Sequence, residues 1–135
     1  MGDNMKKKTP RKKLDEKCLK LWSEIVRLPQ VCAICGKHQS TLNHVVFQGH
    51  HIISRRYTAG RWSLENGLCI CQSCHFIEKP DPEKFRDNVL RAIGENKFNE
   101  LKAKYMNICK VSEYDLGLIY EGLKLELKKR KGDIG

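Results

Sequence analysis

The chain has 135 residues, enough for one compact domain with appended segments but not for two full domains. Its 26 Lys and Arg residues outnumber its 16 Asp and Glu residues, and the net charge of +10 favours a polyanionic partner, either nucleic acid or an anionic membrane. No apolar run approaches the roughly 20 residues of a membrane span, and no apolar stretch follows the N-terminal lysines, so we expect an intracellular, non-secreted protein with no membrane partner.

The first two segments of the chain differ in character. Residues 1–13 are polar and rich in lysine, and they predict a basic disordered arm, with a nuclear-type address or a tag remnant as alternatives. Residues 14–30 predict an N-terminal helix, because the apolar residues from Leu14 to Leu28 have amphipathic spacing and Pro29 closes the segment.

Residues 31–80 lack long periodic segments and predict a knuckle, a hairpin, a loop and a short helix. The apolar runs Val45–Phe47 and Leu68–Ile70 suit two strands. The polar, basic stretch from Ser54 to Glu65 predicts the loop between them, with Gly60 at its tip.

Residues 81–135 predict a C-terminal helical extension. One helix is expected over Pro82–Ile93, with Gly94 as its C-cap, and a second over Phe98–Ile108. Ser112 and Asp115 resemble a capping box for a last helix, which ends in a basic tail. This helix carries an apolar stripe that either docks on its own domain or forms a homodimer: Leu116, Ile119, Leu123 and Leu127.

Seven cysteines in a reducing compartment favour metal binding or burial over disulfides. Four of them form two C-x-x-C pairs, Cys32 with Cys35 and Cys71 with Cys74, which together can complete the tetrahedron that Zn²⁺ accepts. Four thiolates leave no open position, so this zinc is predicted to be structural. Cys69 is a buried cysteine or a substitute ligand, while Cys18 and Cys109 are expected to be small core residues.

The segment between the two pairs contains histidines in an ordered pattern. His50-His51, then Asn66, then Cys71-x-x-Cys74-His75 resembles the HNH nuclease family over about residues 31–79. Hydrolysis of a phosphodiester needs an activated water and a cation on the developing phosphate charge, and a neutral imidazole can take the proton of that water near neutral pH.

The resemblance assigns a role to each residue of the pattern. It implies that His51 is the general base, that His50 and His75 bind a catalytic divalent ion, and that Asn66 positions the base. The sequence does not identify the catalytic ion, and Mg²⁺, Mn²⁺, Ni²⁺ and Zn²⁺ are all candidates. Imidazole ligands suit Mn²⁺, Ni²⁺ or Zn²⁺, whereas Mg²⁺ prefers oxygen ligands. Because adjacent strand residues point to opposite faces, His50 and His51 can share one site only at a bend or a strand end; otherwise only His51 is functional.

Arginines and aromatic residues flank this pattern. Arg55, Arg56 and Arg61 are candidate clamps for DNA phosphates. Tyr57 and Trp62 either stack on exposed bases or form a small local core.

A closer resemblance is to the NinG/Rap recombination proteins of lambdoid phages. It rests on the string from His51 to Arg56, on Arg61-Trp62 and on the layout of the C-terminal helices. That family implies endonuclease action on branched recombination intermediates such as Holliday junctions. Two positions depart from its pattern: His50 stands where the family has Gly, and His75 where it has Asn.

These observations predict an α+β fold, a ββα-metal core of the His-Me finger type with a four-cysteine zinc knuckle, flanked by N- and C-terminal helices. The expected function is metal-dependent hydrolysis of DNA in phage recombination, in the bacterial host cytoplasm. A homing or restriction nuclease acting on linear duplex and a non-catalytic zinc module that only binds DNA are the alternatives.

Overall fold

A computed structural model describes residues 7–39 and 44–134, and this part of the chain holds five α-helices and one two-stranded antiparallel sheet. The fold is α+β, as predicted. The strands are β1 (Phe47–His51) and β2 (Gly67–Cys71). The helices are α1 (Pro10–Val26), α2 (Gln72–Phe76), α3 (Pro82–Ile93), α4 (Glu95–Tyr105) and α5 (Glu113–Ile134). None of the helices in the described ranges is long and apolar enough to span a membrane.

Helix α1 begins at Pro10, earlier than the predicted start at Leu14, so residues 10–13 of the predicted disordered arm are helical. The reason is a local N-cap: the Thr9 hydroxyl accepts the Lys12 amide at 3.1 Å, and Pro10 occupies a position that needs no amide donor. The helix ends at Val26. Residues 1–6 of the predicted arm lie outside the described residues.

The sheet is a hairpin in which His50 pairs with Leu68 and His51 with Gly67. Strand β1 begins at Phe47, so the prediction of a strand over Val45–Phe47 was wrong for its first two residues. The Gln39 side-chain amide donates to the Val45 carbonyl, and its oxygen accepts the Val45 N–H. These two hydrogen bonds replace those of a strand partner. The hairpin and the following helix α2 form the ββα arrangement that was predicted.

Two glycines allow helix α1 to lie directly on the hairpin. A Cβ atom on Gly67 would lie 2.4 Å from Val26 Cγ2 and 3.0 Å from Trp22 Cζ2, and one on Gly49 would lie 3.2 Å from Trp22 Cζ3. The face of the sheet that carries His51 therefore packs against α1. The opposite face carries His50 and lies towards α2 and α3.

The loop between the strands is packed and not extended into solvent. Gly60 was expected at a loop tip, but it is buried, and a Cβ atom there would lie 2.8 Å from Tyr105 Cβ. Helix α4 ends at Tyr105, short of the predicted Ile108, because the chain turns there to bond the loop: the Ala59 N–H donates to the Asn107 carbonyl at 3.1 Å. Cys109 is exposed, so its expected place in the core was wrong.

The C-terminal helices follow the predicted pattern more closely. Helix α3 has the predicted bounds, and Gly94 ends it with a φ of 88°. Ser112 and Asp115 cap α5 reciprocally, at 3.3 and 3.0 Å. The predicted stripe of α5 packs into the same core as α1, with Leu116 fully buried, which confirms docking on its own domain.

Candidate functional site

The four predicted zinc ligands form a zinc knuckle. One ligand atom from each of Cys32, Cys35, Cys71 and Cys74 lies within 4.8 Å of the others, and Cys35 Sγ is 3.7 Å from Cys71 Sγ. A tetrahedral ion with zinc–sulfur bonds of about 2.3 Å separates its sulfurs by about 3.8 Å, so the cluster fits structural zinc.

The electrostatics of the knuckle also favour a cation. Burial opposes ionisation of Cys32, but backbone N–H groups of its neighbours outweigh it and lower the pKa of this thiol to about 6. Burial and the neighbouring sulfurs raise the pKa of Cys35 and of Cys74. A positive ion at the centre of the cluster would stabilise all four thiolates together. Cys69 is buried and lies outside this ligand set.

His50 and His51 occupy the end of strand β1 and point to opposite faces of the hairpin, as strand geometry requires. His50 meets His75 at 5.7 Å and Phe85 at 5.0 Å between ring centroids, while His51 stacks on Trp22 at 3.8 Å. Because the pair lies at the strand end, both residues still line one cleft of about 540 Å³. This resolves the geometric conflict that the sequence raised.

A second cluster of potential metal ligands lies in this cleft. His50, His75 and Glu78 each offer one atom, all within 4.8 Å of one another, and His75 Nε2 is 3.5 Å from Glu78 Oε1. Burial, with the nearby His75 and His51, lowers the pKa of His50 to about 4, so this ring is in the neutral form that binds metals. Two imidazoles and one carboxylate suit a divalent transition ion.

Glu78 was not among the predicted residues. Its spacing of three residues from His75 was the available signal, because residues with this spacing lie on the same side of a helical segment. His75 itself lies in the last turn of α2. The helix holds both the zinc ligand Cys74 and the imidazole of His75. The zinc knuckle therefore anchors one side of the second metal cluster.

The His51 ring is held on one face and at one edge. Trp22 stacks on it with an interplanar angle of 9°, and His51 Nε2 is 2.8 Å from the Arg61 carbonyl. A carbonyl can only accept a hydrogen bond, so Nε2 carries the proton and Nδ1 is the basic nitrogen. Burial lowers the pKa of His51 below its ordinary 6.5, partly opposed by this hydrogen bond and supported by the charges of Arg55 and Arg61.

Asn66 is fully buried, and none of its hydrogen bonds in the described structure is to His51. Its oxygen accepts the Ile53 N–H at 2.7 Å, and its amide donates to the Ile53 carbonyl at 2.9 Å and to the Gly60 carbonyl at 3.1 Å. Gly60 precedes Arg61, whose carbonyl holds His51. Asn66 thus shapes the loop that orients the ring.

The three predicted phosphate-binding arginines have different environments. Arg55 and Arg56 are exposed, and Arg55 lines the cleft. Arg61 is instead bound in a fork by Asp15 of helix α1, at 3.0 and 2.7 Å. This guanidinium is half-buried and already paired, so Arg61 is less available to a phosphate than Arg55 or Arg56, and its role as a DNA contact stays a prediction.

For Trp62 the geometry favours the second of the two predicted alternatives, a small local core. Trp62 is buried, and its indole N–H donates to Asp15 at 2.8 Å, so it forms local core and is not available to stack on a base. Sequence reasoning missed Asp15 and Trp22 as parts of the site, since both lie on a helix far away in the chain and no local motif marks them.

Comparison with known proteins agrees with this geometry. Residues 32–80 match the family model described as HNH endonuclease, and this range includes both cysteine pairs, both site histidines of β1, Asn66, His75 and Glu78. The match covers the central segment, less than half of the chain. No curated protein and no solved structure matches the chain. The central segment is therefore similar to HNH endonuclease domains, and this similarity supports a nuclease of the HNH type.

Proposed function

We propose that this protein is a metal-dependent endonuclease that hydrolyses phosphodiester bonds of DNA, with His51 as general base. The observation that carries the proposal is the meeting of two groups in one cleft. One is a ligand set formed by His50, His75 and Glu78, and the other is an oriented, neutral imidazole. A zinc module that only binds DNA has no use for either.

The action of His51 follows from its hydrogen bond. Nε2–H donates to the Arg61 carbonyl, so Nδ1 removes the proton of the attacking water while that water forms its bond to phosphorus. The bond from phosphorus to the leaving oxygen then breaks. Stacking on Trp22 prevents the ring from tilting, and the Arg61 carbonyl stabilises the imidazolium that forms.

His50, His75 and Glu78 would hold the catalytic cation. When bound, a divalent ion supplies positive charge next to the phosphate that accumulates negative charge during the reaction. Arg55 at the cleft adds a second positive group, and the exposed Arg56 beside it extends the basic surface along the DNA.

The likeness to NinG/Rap recombination nucleases supports a narrower substrate, branched DNA formed during phage recombination inside the bacterial host. It rests on the string from His51 to Arg56 and on the following Arg61-Trp62. In this proposal, a four-way junction is cut faster than linear duplex of equal length. Equal cutting would remove the junction specificity and leave the nuclease unaffected.

A cleavage assay on linear duplex, single-stranded and four-way DNA with Mg²⁺, Mn²⁺, Ni²⁺ or Zn²⁺ tests the proposal. His51→Ala should retain zinc and DNA binding but cut about 10²–10⁴-fold more slowly, which is the usual cost of losing a general base. His44→Ala is the matched control, because that histidine is exposed and lies outside the pattern. DNA binding without cleavage under any metal would favour the non-catalytic module.

The pH dependence of cleavage offers a second check. Burial lowers the pKa of His51, so the base is neutral and active above that pKa and becomes protonated as the pH falls through it. We expect the acid limb of the kcat/KM profile to lie below 6.5 and to be absent from the residual activity of His51→Ala. An acid limb above 6.5 would contradict the assignment.

A further inference from the structure

Helix α5 has a second apolar face that its own domain does not cover. Leu116 and Leu123 are buried on the inner side, but Tyr114 is 75 % exposed, Leu118 56 % and Leu125 70 %. Spacings of four and seven residues place these three side chains on one side of the helix, which they share with Glu121, 63 % exposed and paired with Lys124 at 3.0 Å. We call Tyr114, Leu118 and Leu125 the outer stripe. Its exposure indicates a surface that binds another molecule.

Charge along α5 is divided between its two halves. Residues 113–121 contain three acidic and no basic side chains, whereas residues 122–132 contain five basic side chains and one acidic. The acidic half makes DNA or an anionic membrane a poor partner for the whole stripe. A second α5 in the opposite direction is complementary over most of its length, because each acidic half then faces a basic half. The two Glu121 side chains near the centre are each paired with Lys124 of their own copy. Parallel pairing would oppose like charges along the whole helix.

We propose that two copies of this protein associate through the outer stripe, with their α5 helices antiparallel. A two-fold axis midway between Leu118 and Leu125 places Leu118 of each copy against Leu125 of the other. It also brings Tyr114 towards Lys129 of the second copy. Gly122 lies next to this axis, and a Cβ atom built on it meets no atom within 4 Å, so the backbones can approach closely there.

The size of the stripe sets the strength of the association. Three apolar side chains per copy make an interface smaller than those of stable complexes, so the dimer should form at high protein concentration, or when two copies bind one DNA. In a two-fold interface every substitution acts twice. The proposal does not depend on the nuclease assignment, and it concerns the face of α5 opposite the predicted stripe.

Sedimentation equilibrium of the full zinc-loaded chain, from micromolar concentration to about 1 mM, tests the association. We expect the wild type to dimerise within this range and Leu125→Glu to raise the dissociation constant roughly tenfold or more. Ile108→Glu is the matched control, since Ile108 is 79 % exposed but lies outside α5. A wild type that stays monomeric, or Leu125→Glu that dimerises like the wild type, would overturn the proposal.

Cross-linking tests the direction of the helices. In a Cys109→Ser background, which removes the exposed cysteine outside the zinc knuckle, Leu118→Cys and Leu125→Cys proteins are oxidised alone and as a mixture. Antiparallel pairing predicts that the mixed disulfide forms much faster than either self-disulfide. If Leu118→Cys links mainly to itself, the helices are parallel and the proposal is wrong.

Discussion

Replacing Asn66 by aspartate separates a structural role of this residue from a direct role in the chemistry. The change keeps the size of the side chain and the acceptor for the Ile53 N–H, but it removes the amide that donates to the Ile53 and Gly60 carbonyls. The Ile53 carbonyl is left without a donor, which costs about 1–3 kcal/mol, whereas the Gly60 carbonyl still accepts the Ser63 N–H at 3.3 Å. The free energy of unfolding should therefore fall by about 2 kcal/mol at neutral pH.

This loss should be visible in a thermal melt. At about 2–4 °C per kcal/mol for a chain of this size, Tm should fall by roughly 4–8 °C. The new carboxyl is buried against two carbonyls, which raises its pKa above the unfolded value of about 3.9. The deficit relative to wild type is therefore smallest below the unfolded pKa and grows as the pH rises through the folded pKa. Melts at several pH values measure this trend.

Cleavage by Asn66→Asp, assayed at a temperature where the protein is folded, should lie between that of wild type and His51→Ala. The reason is that freeing the Gly60 carbonyl loosens the loop whose Arg61 carbonyl orients His51. Asn96→Asp, at an exposed position in the first turn of α4, is the control for added charge and should melt like the wild type. A variant that loses cleavage but keeps the wild-type Tm would refute the reasoning, because Asn66 would then act directly on the base or the DNA.

Three further changes probe other parts of the structure. Cys74→Ser should lower zinc content and Tm together, because thiolate-bound structural zinc is coupled to folding; a metal-free protein with the wild-type Tm would speak against this. Trp22→Ala should reduce kcat in folded protein while the Kd for DNA stays near wild type, since the indole stacks on His51 and is itself buried; single-turnover and binding assays measure the two quantities. Arg55→Ala should weaken DNA binding and reduce the slope of log K against log salt concentration by about one, because the exposed guanidinium contacts one phosphate. Arg61→Ala should chiefly lower Tm, because this guanidinium is paired with Asp15. The reverse pattern would contradict these assignments.

The elements whose signals are local in the chain could be read from the sequence. The two C-x-x-C pairs indicated the zinc knuckle, because two-residue spacing lets both thiolates reach one ion. Helix α3 was predicted with its correct bounds, since Pro82 and Gly94 mark its ends. The α+β class and the order of hairpin and short helix followed from the apolar runs between these signals. Boundaries set by a cap or by a side chain that bonds the backbone, at Thr9 and at Val45, were less well predicted.

Contacts between distant segments were decided only by the tertiary structure. Asp15 neutralises Arg61, and Trp22 covers His51, because two glycines let helix α1 lie on the hairpin. Periodicity marked one face of α5 as apolar, but only packing shows that this face is used on α1 and that the opposite stripe stays exposed. Residue type and spacing specify which chemistry is available, such as thiolate or imidazole ligands. Which charge is already paired, which ring is held and which surface stays open depend on packing between segments that are far apart in the chain.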